Sequence, residues 1–289
     1  MLIVSLYSLI QILGSTSFLY FLIFSEVLFM VSLPVLIANN SNNSDIVEYL
    51  IVSIISNILC LSVFTFSDFF FFFHIGCFLK AGLFPYPWWS IKISSSLNWF
   101  GFFFLNVILK IPYIVLVLVI DCSISYFTTI LSIFSFVYGV HQMWLNTNDV
   151  RIFLAWSSVV YLSFLFFINI YYFSYEVMFG FFFFYLFFIL YFSLINNYIN
   201  SNITLVLLIF SLSGMPPFCS FILKIFLVDV LYDFFGYNHL LVVFVLLMST
   251  MIYLINTCYL WVDGYLHVSD TFSLFFISIL FSIFIWLFF

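Results

Sequence analysis

Apolar residues run along this chain in long blocks, and short polar breaks separate them. The first block is Leu2 to about Leu13. The second runs from about Ser17 to Ile37 and ends at the polar loop Asn39–Asp45. The third covers Ile46–Phe66, and the fourth covers Asp68–Phe84 and stops at Pro85-Tyr86-Pro87. A linker with Lys92 and Ser94 to Ser96 follows. The fifth block, Asn98–Ile120, is interrupted by Pro112. The sixth is Ser123–Leu145, the seventh Val150–Asn169 and the eighth Ser174–Leu194. The ninth begins near Ile203, breaks at Gly214-Met215-Pro216-Pro217 and resumes to about Asp233. The tenth is His239–Trp261, and the eleventh runs from about Asp270 to the end. Apolar blocks of about 20 residues match the thickness of a bilayer core. In hydrocarbon every backbone polar group needs an internal partner, and no barrel-like alternation is visible, so each block predicts a helix.

Composition sharpens that picture. The 289 residues are 67% hydrophobic and 6% charged, with a mean hydropathy of +1.33. So few charges leave too little polar surface for a soluble domain. One membrane domain over 1–289 is expected. Its first repeat is about 1–120, its second about 123–261, and 270–289 is a final helix. The 47 phenylalanines suit lipid-facing surface and fit an organelle-encoded gene of skewed base composition. The five cysteines are scattered, with no CxxC pair, and read as small apolar fillers rather than a metal site or a disulfide framework. Neither a cleavable signal peptide nor an Arg-rich transit peptide is apparent. No basic patch for nucleic acid is present. Trp88, Trp89 and Trp99 flank the linker and read as interface anchors. Lys92 and Arg151 fall in loops on one side, which the positive-inside rule assigns, with the N-terminus, to the matrix or cytoplasm.

The candidate chemistry lies in charges at membrane depth. Lys80, Lys110 and Lys224 sit within apolar spans, as does Glu26. An ionised group at the bilayer centre costs at least ~2.5–3.5 kcal/mol on insertion scales, so four unpaired ones would cost on the order of 10 kcal/mol. Lys80, near the end of its span, has a bland alternative: its stem can snorkel to the headgroups. Lys110 lies mid-span, where snorkelling is poor. Lys80 and Lys224 adjoin the Pro/Gly breaks Gly82–Pro87 and Gly214–Pro217. Backbone freed by proline is tolerated at membrane depth where it is buried in protein or lines a wet cavity. Two interrupted helices at corresponding places predict an inverted-repeat transporter, with helices four and nine as equivalents. His141 can relay protons, because imidazole titrates near neutral pH, or can be a hydrogen-bonded core histidine.

Three motifs carry a resemblance. Phe78 to Trp89 reads FLKAGLFPYPWW. Leu145 to Arg151 reads LNTNDVR and is followed by Ala155-Trp156-Ser157-Ser158. Ser213 to Pro217 reads SGMPP and is followed by Phe221 and Lys224. In order and spacing these resemble the antiporter-like subunits of respiratory complex I, and the resemblance spans nearly the whole chain. It implies an all-α integral membrane protein of about eleven transmembrane helices, an antiporter-like inverted repeat with two broken helices. Residue by residue it implies that Glu26 is the helix-two glutamate, Lys80 the broken-helix lysine, Lys110 the central lysine and Lys224 the distal one. Three places depart from the family pattern: Ser220-Phe221 replaces glycine-phenylalanine, Ile152 stands where a lysine is usual, and Pro85-Tyr86-Pro87-Trp88 lacks the family histidine.

The resemblance further implies a proton-translocating membrane subunit of NADH–ubiquinone oxidoreductase, seated in the inner mitochondrial membrane among other membrane-arm subunits and lipid. NAD, FMN, iron–sulfur clusters and ubiquinone would belong to the parent complex and not to this chain. The sequence agrees, with no Gly-rich dinucleotide fingerprint and no clustered cysteines. Two rivals stand beside that expectation: a cation/proton antiporter subunit, and an inert scaffold that only holds its neighbours.

Overall fold

A computed structural model describes residues 2–14, 18–39, 43–65, 70–113, 126–146 and 149–171. The chain divides into two compact units, Met1–Tyr175 and Glu176–Phe289, and every described residue belongs to the first. The predicted eighth to eleventh helices, the Gly214–Pro217 break and Lys224 lie outside the described residues.

The described residues form α1 (Leu2–Leu13), α2 (Phe18–Asn39), α3 (Asn43–Thr65), α4 (Phe70–Ala81), α5 (Trp88–Ser96), α6 (Trp99–Asn106), a 3₁₀ turn (Ile108–Lys110), α7 (Tyr126–Leu145) and α8 (Val150–Tyr171). Among the described residues, two helices are long and apolar enough to cross a membrane, over Tyr20–Ala38 and Ser44–Ser62. The twelve residues of α1 rise about 18 Å, short of a ~30 Å hydrocarbon core.

Two sequence expectations need correction. The linker after the fourth span is a helix, α5, and it buries Trp89, Ser90, Ile91, Ile93 and Ser94. Its serines look like surface by polarity alone, and Ser95 is indeed exposed. Ser90 and Ser94 are buried at little cost because each hydroxyl bonds within the protein: Ser90 Oγ donates to Pro87 O (2.8 Å) and Ser94 Oγ to Ser90 O (2.5 Å). Trp89 is likewise a core residue rather than an interface anchor, only 5% exposed. Its indole donates to Leu79 O at 3.0 Å, a carbonyl near the end of α4.

The same economy recurs through the helices. Ser25, Ser32, Ser53, Ser56 and Ser163 each donate to a carbonyl three residues back, at 2.6–2.8 Å. A hydroxyl satisfied on its own helix can face a neighbour without a desolvation penalty. A central cluster of Phe29, Leu36, Tyr49, Val52, Trp89, Ile93, Leu97 and Leu105 joins α2, α3, α5 and α6. Tyr49 stacks on Phe29 (centroids 4.5 Å apart) and takes part in a 2.9 Å hydrogen bond with Ser32.

Glycine sets the closest helix approaches, as expected where packing rather than water exclusion joins helices. A Cβ at Gly76 of α4 would meet Ser56 O of α3 at 2.9 Å, and one at Gly139 of α7 would meet Val160 Cγ2 of α8 at 2.8 Å. At one end of the bundle, Lys92 Nζ lies 2.8 Å from Glu48 and 3.4 Å from Asp45, and Arg151 donates to Leu97 O at 3.1 Å. Lys92, on α5, and Arg151, in the first turn of α8, therefore share an end, as their places in the sequence predict.

Candidate functional site

The site begins with how α4 stops. Gly82 takes φ +70°, the left-handed region. Its N–H donates to Leu79 O (3.1 Å), and Leu83 N–H donates to Phe78 O (2.9 Å). This pair of bonds is the Schellman closure of a helix C-terminus, and it requires glycine at the turning position. A Cβ on Gly82 would also lie 2.7 Å from Ser90 Oγ, so α5 packs tightly over the turn. The closure leaves Lys80 in the last turn of α4, where the helix dipole favours a cation.

Lys80 does not snorkel. Its side chain is 5% exposed, and Nζ pairs with Glu26 Oε1 on α2. The second carboxylate oxygen of Glu26 accepts from Asn57 Nδ2 on α3 at 2.6 Å. Three helices thus meet at one carboxylate. Lys80 Nζ also lies 5.9 Å from the centre of the Phe29 ring.

Lys110 is positioned by a different interruption. Pro112 has no N–H and its ring crowds the carbonyl four residues back, at Ile108. The helix ends at Asn106, and Ile108–Lys110 tightens into a 3₁₀ turn in which Lys110 N–H donates to Val107 O (3.0 Å). The sequence placed the interruption at Pro112; the distortion falls on the turn before it. The Lys110 side chain turns inward and donates to Ser158 Oγ on α8 at 2.6 Å. Among the described residues no carboxylate pairs with it. The Ser158 hydroxyl has Ala155 O at 2.7 Å and Asn106 Oδ1 at 3.1 Å as acceptors. Asn106 Nδ2 in turn donates to Ser94 Oγ at 3.0 Å. This chain of dipoles ties α5, α6 and α8 around the lysine.

Lys80 and Lys110 line one cavity of about 20 Å³, with Ser25, Tyr49, Ser53 and Ser90 among its polar walls. That volume suffices for a single water with several polar partners. The arrangement provides two lysine side chains, a carboxylate that answers one of them, and a small cavity whose walls are mainly apolar with several polar groups among them.

The structure therefore brings together Glu26, Lys80 and Lys110 of the predicted residues. His141 lies on the exposed side of α7 and does not line the cavity. Asn57, Asn106 and Ser158 were missed. A lone amide inside a predicted apolar span was the available signal for Asn57 and Asn106, since polar groups at that depth need partners. Cys60 and Cys77, expected to be scattered fillers, are buried thiols whose sulfurs lie 4.0 Å apart across α3 and α4.

No family model matches the chain. It is similar to NADH-ubiquinone oxidoreductase chain 2 of Artemia franciscana, 24% identical over an alignment of 231 positions that covers 75% of this chain and 75% of the other. Its fold matches a chain in respiratory complex I from Thermus thermophilus with bound aureothin, with a TM-score of 0.67 at 13% identity. That match covers 89% of this chain and 67% of the other. The similarity found by sequence thus falls on the chain-2 type of complex I subunit, and the similarity of fold falls on a chain of complex I.

Proposed function

We propose that this chain is a chain-2-type membrane-arm subunit of NADH–ubiquinone oxidoreductase and that it moves protons across the inner mitochondrial membrane as electrons pass from NADH to ubiquinone. The observation that carries the reading is the shared cavity. A lysine paired with a carboxylate and a lysine held only by neutral dipoles line the same small cavity, each beside a helix interruption. Scaffolding alone does not call for cations buried at that depth.

The proposed cycle is electrostatic. With Glu26 beside it, Lys80 holds its proton through a charge–charge attraction that weakens steeply as the two separate. A charge change in a neighbouring subunit pulls that pair apart. Lys80 then releases a proton through the cavity toward Lys110, whose partner Ser158 has both a donor and lone pairs. When Lys110 is an ammonium, the hydroxyl accepts from it; when Lys110 is a neutral amine, the hydroxyl can donate to it. Lys224 is the onward acceptor in this scheme. The chain carries no redox centre in this reading, and NAD, FMN, iron–sulfur clusters and ubiquinone stay with other subunits. The end that carries Lys92 and Arg151, with the N-terminus, faces the matrix.

The test is Lys110→Met in the assembled complex, measuring protons translocated per NADH oxidised. The expected result is a large loss of translocation, because the replacement keeps the apolar stem and removes the proton carrier. Unchanged translocation would sink the relay and favour the scaffold.

A further inference from the structure

Asn57 is the polar group at this site whose hydrogen bonding is incomplete. Its Nδ2 donates to Glu26 Oε2 at 2.6 Å, while its Oδ1 is buried and finds no donor among the described residues. The orientation of the amide follows from Glu26. A carboxylate only accepts, so the NH₂ end must face it. A protonated Glu26 has an O–H to donate, and the Oδ1 end then becomes the matching partner. Rotating the amide by half a turn about its last torsion exchanges the two ends in place. One side chain on α3 can thus satisfy Glu26 both as carboxylate and as acid.

We infer that Asn57 is a positioning residue that holds Glu26 in place through a change of its charge. The inference rests on the proton-transfer reading above and deepens it. Lys80 can answer Glu26 only as a charged partner, because an ammonium donates and never accepts. If Glu26 takes up a proton, or if Lys80 turns toward the cavity, the ion pair ends, and without Asn57 nothing in the described surroundings would fix the Glu26 carboxyl group. With Asn57 the carboxyl keeps one hydrogen bond throughout. The titratable groups that surround Glu26 are Lys80 on α4, Tyr49 and Cys60 on α3, and Tyr113 beyond the 3₁₀ turn, with Cys77 of α4 beside Cys60. Asn57 itself does not titrate, so it can follow the charge of Glu26 without competing for the proton.

The experiment uses the assembled complex with Asn57→Leu and Asn57→Gln. It reads the proton translocation rate together with the infrared difference band of the Glu26 acid carbonyl, identified by its loss in Glu26→Gln. Asn57→Leu is expected to slow translocation about tenfold, the factor one hydrogen bond to a charged group is worth, and to shift the carbonyl band. Asn57→Gln keeps both ends of the amide and is expected to restore the band and much of the rate. A structural role alone would lower the amount of assembled subunit and leave the band where it is. Wild-type rate and an unmoved band in assembled Asn57→Leu overturn the inference. If Asn57→Leu does not assemble, Asn57→Ser answers the same question: a shifted band supports the role and an unmoved band overturns it. If Glu26→Gln stops translocation while Asn57→Leu changes nothing, this inference fails alone. If Lys110→Met leaves translocation intact, the relay fails, and the carbonyl band still reports on Asn57.

Discussion

Replacing Gly82 with alanine tests whether the closed end of α4 is what puts Lys80 in place. Two penalties add. An L residue at φ +70° costs about 1–2 kcal/mol. The new Cβ would stand 2.7 Å from Ser90 Oγ and 3.0 Å from Ser90 Cβ, so Ser90 must turn and give up its bond to Pro87 O. A lost hydrogen bond of that kind is worth about 0.5–1.5 kcal/mol. The sum, about 1.5–3.5 kcal/mol, corresponds to roughly a 10- to 300-fold smaller population of the closed turn. The chain can relieve the strain by continuing α4 through residue 82, which breaks the Leu83 N–H to Phe78 O bond and takes Lys80 away from a helix end. Gly82→Ala complex should therefore lose heat stability and, beyond that, translocate fewer protons per NADH oxidised. The assays are the half-time of thermal inactivation and proton flux in reconstituted vesicles. Gly82→Asn separates the two penalties, because asparagine tolerates the left-handed region better and still carries the clashing Cβ. Wild-type thermal half-time and full coupling in Gly82→Ala would refute the idea that this turn positions Lys80.

Two further outcomes follow from the geometry. Ser158→Ala removes the hydroxyl 2.6 Å from Lys110 Nζ, and should slow translocation about 3- to 10-fold with assembly intact, while Ser158→Thr, which keeps a hydroxyl, should recover it; the reading is proton flux normalised to assembled complex. Gly76→Val places its Cβ 2.9 Å from the backbone oxygen of Ser56, so α3 and α4 must separate, at a cost of about 1–3 kcal/mol seen as a shorter half-time of heat inactivation.

Apolar block length was a good guide to the helices. The second, third, sixth and seventh predicted spans begin and end within a few residues of α2, α3, α7 and α8. The stop at Gly82–Pro87 was legible because glycine and proline alter the backbone itself. What followed the stop was not. Lys92 and Trp88 are exposed as a linker predicts, but Ser94 and Trp89 beside them are buried, and a rule that takes polarity for exposure does not tell the two sets apart. Serine defeats that rule by bonding its own helix, and Trp89 is drawn inward by a carbonyl near the broken end of α4. Lys110 could be recognised from mid-span placement alone. Asn57, Cys60 and Cys77 could not be assembled into a site from spacing, because their meeting depends on which faces α2, α3 and α4 turn to one another.

Lys80 and Lys110 reach one cavity by unlike means, and the difference bears on the proposed mechanism. Lys80 ends a helix closed by glycine, and its partner is a carboxylate carried by a separate helix. Lys110 follows a helix interrupted by proline, and its partners are a hydroxyl and amide dipoles held within the bundle. In the proposed cycle the charge–charge attraction at Lys80 is what a neighbouring subunit changes, whereas no ion pair has to be broken at Lys110, whose partners are neutral. A change at Lys80 alone would then reverse the order of proton preference between the two lysines that line the cavity. Each side keeps one partner through its change of charge: Ser158 can accept from a Lys110 ammonium or donate to its amine, and Asn57 can offer Glu26 either end of its amide.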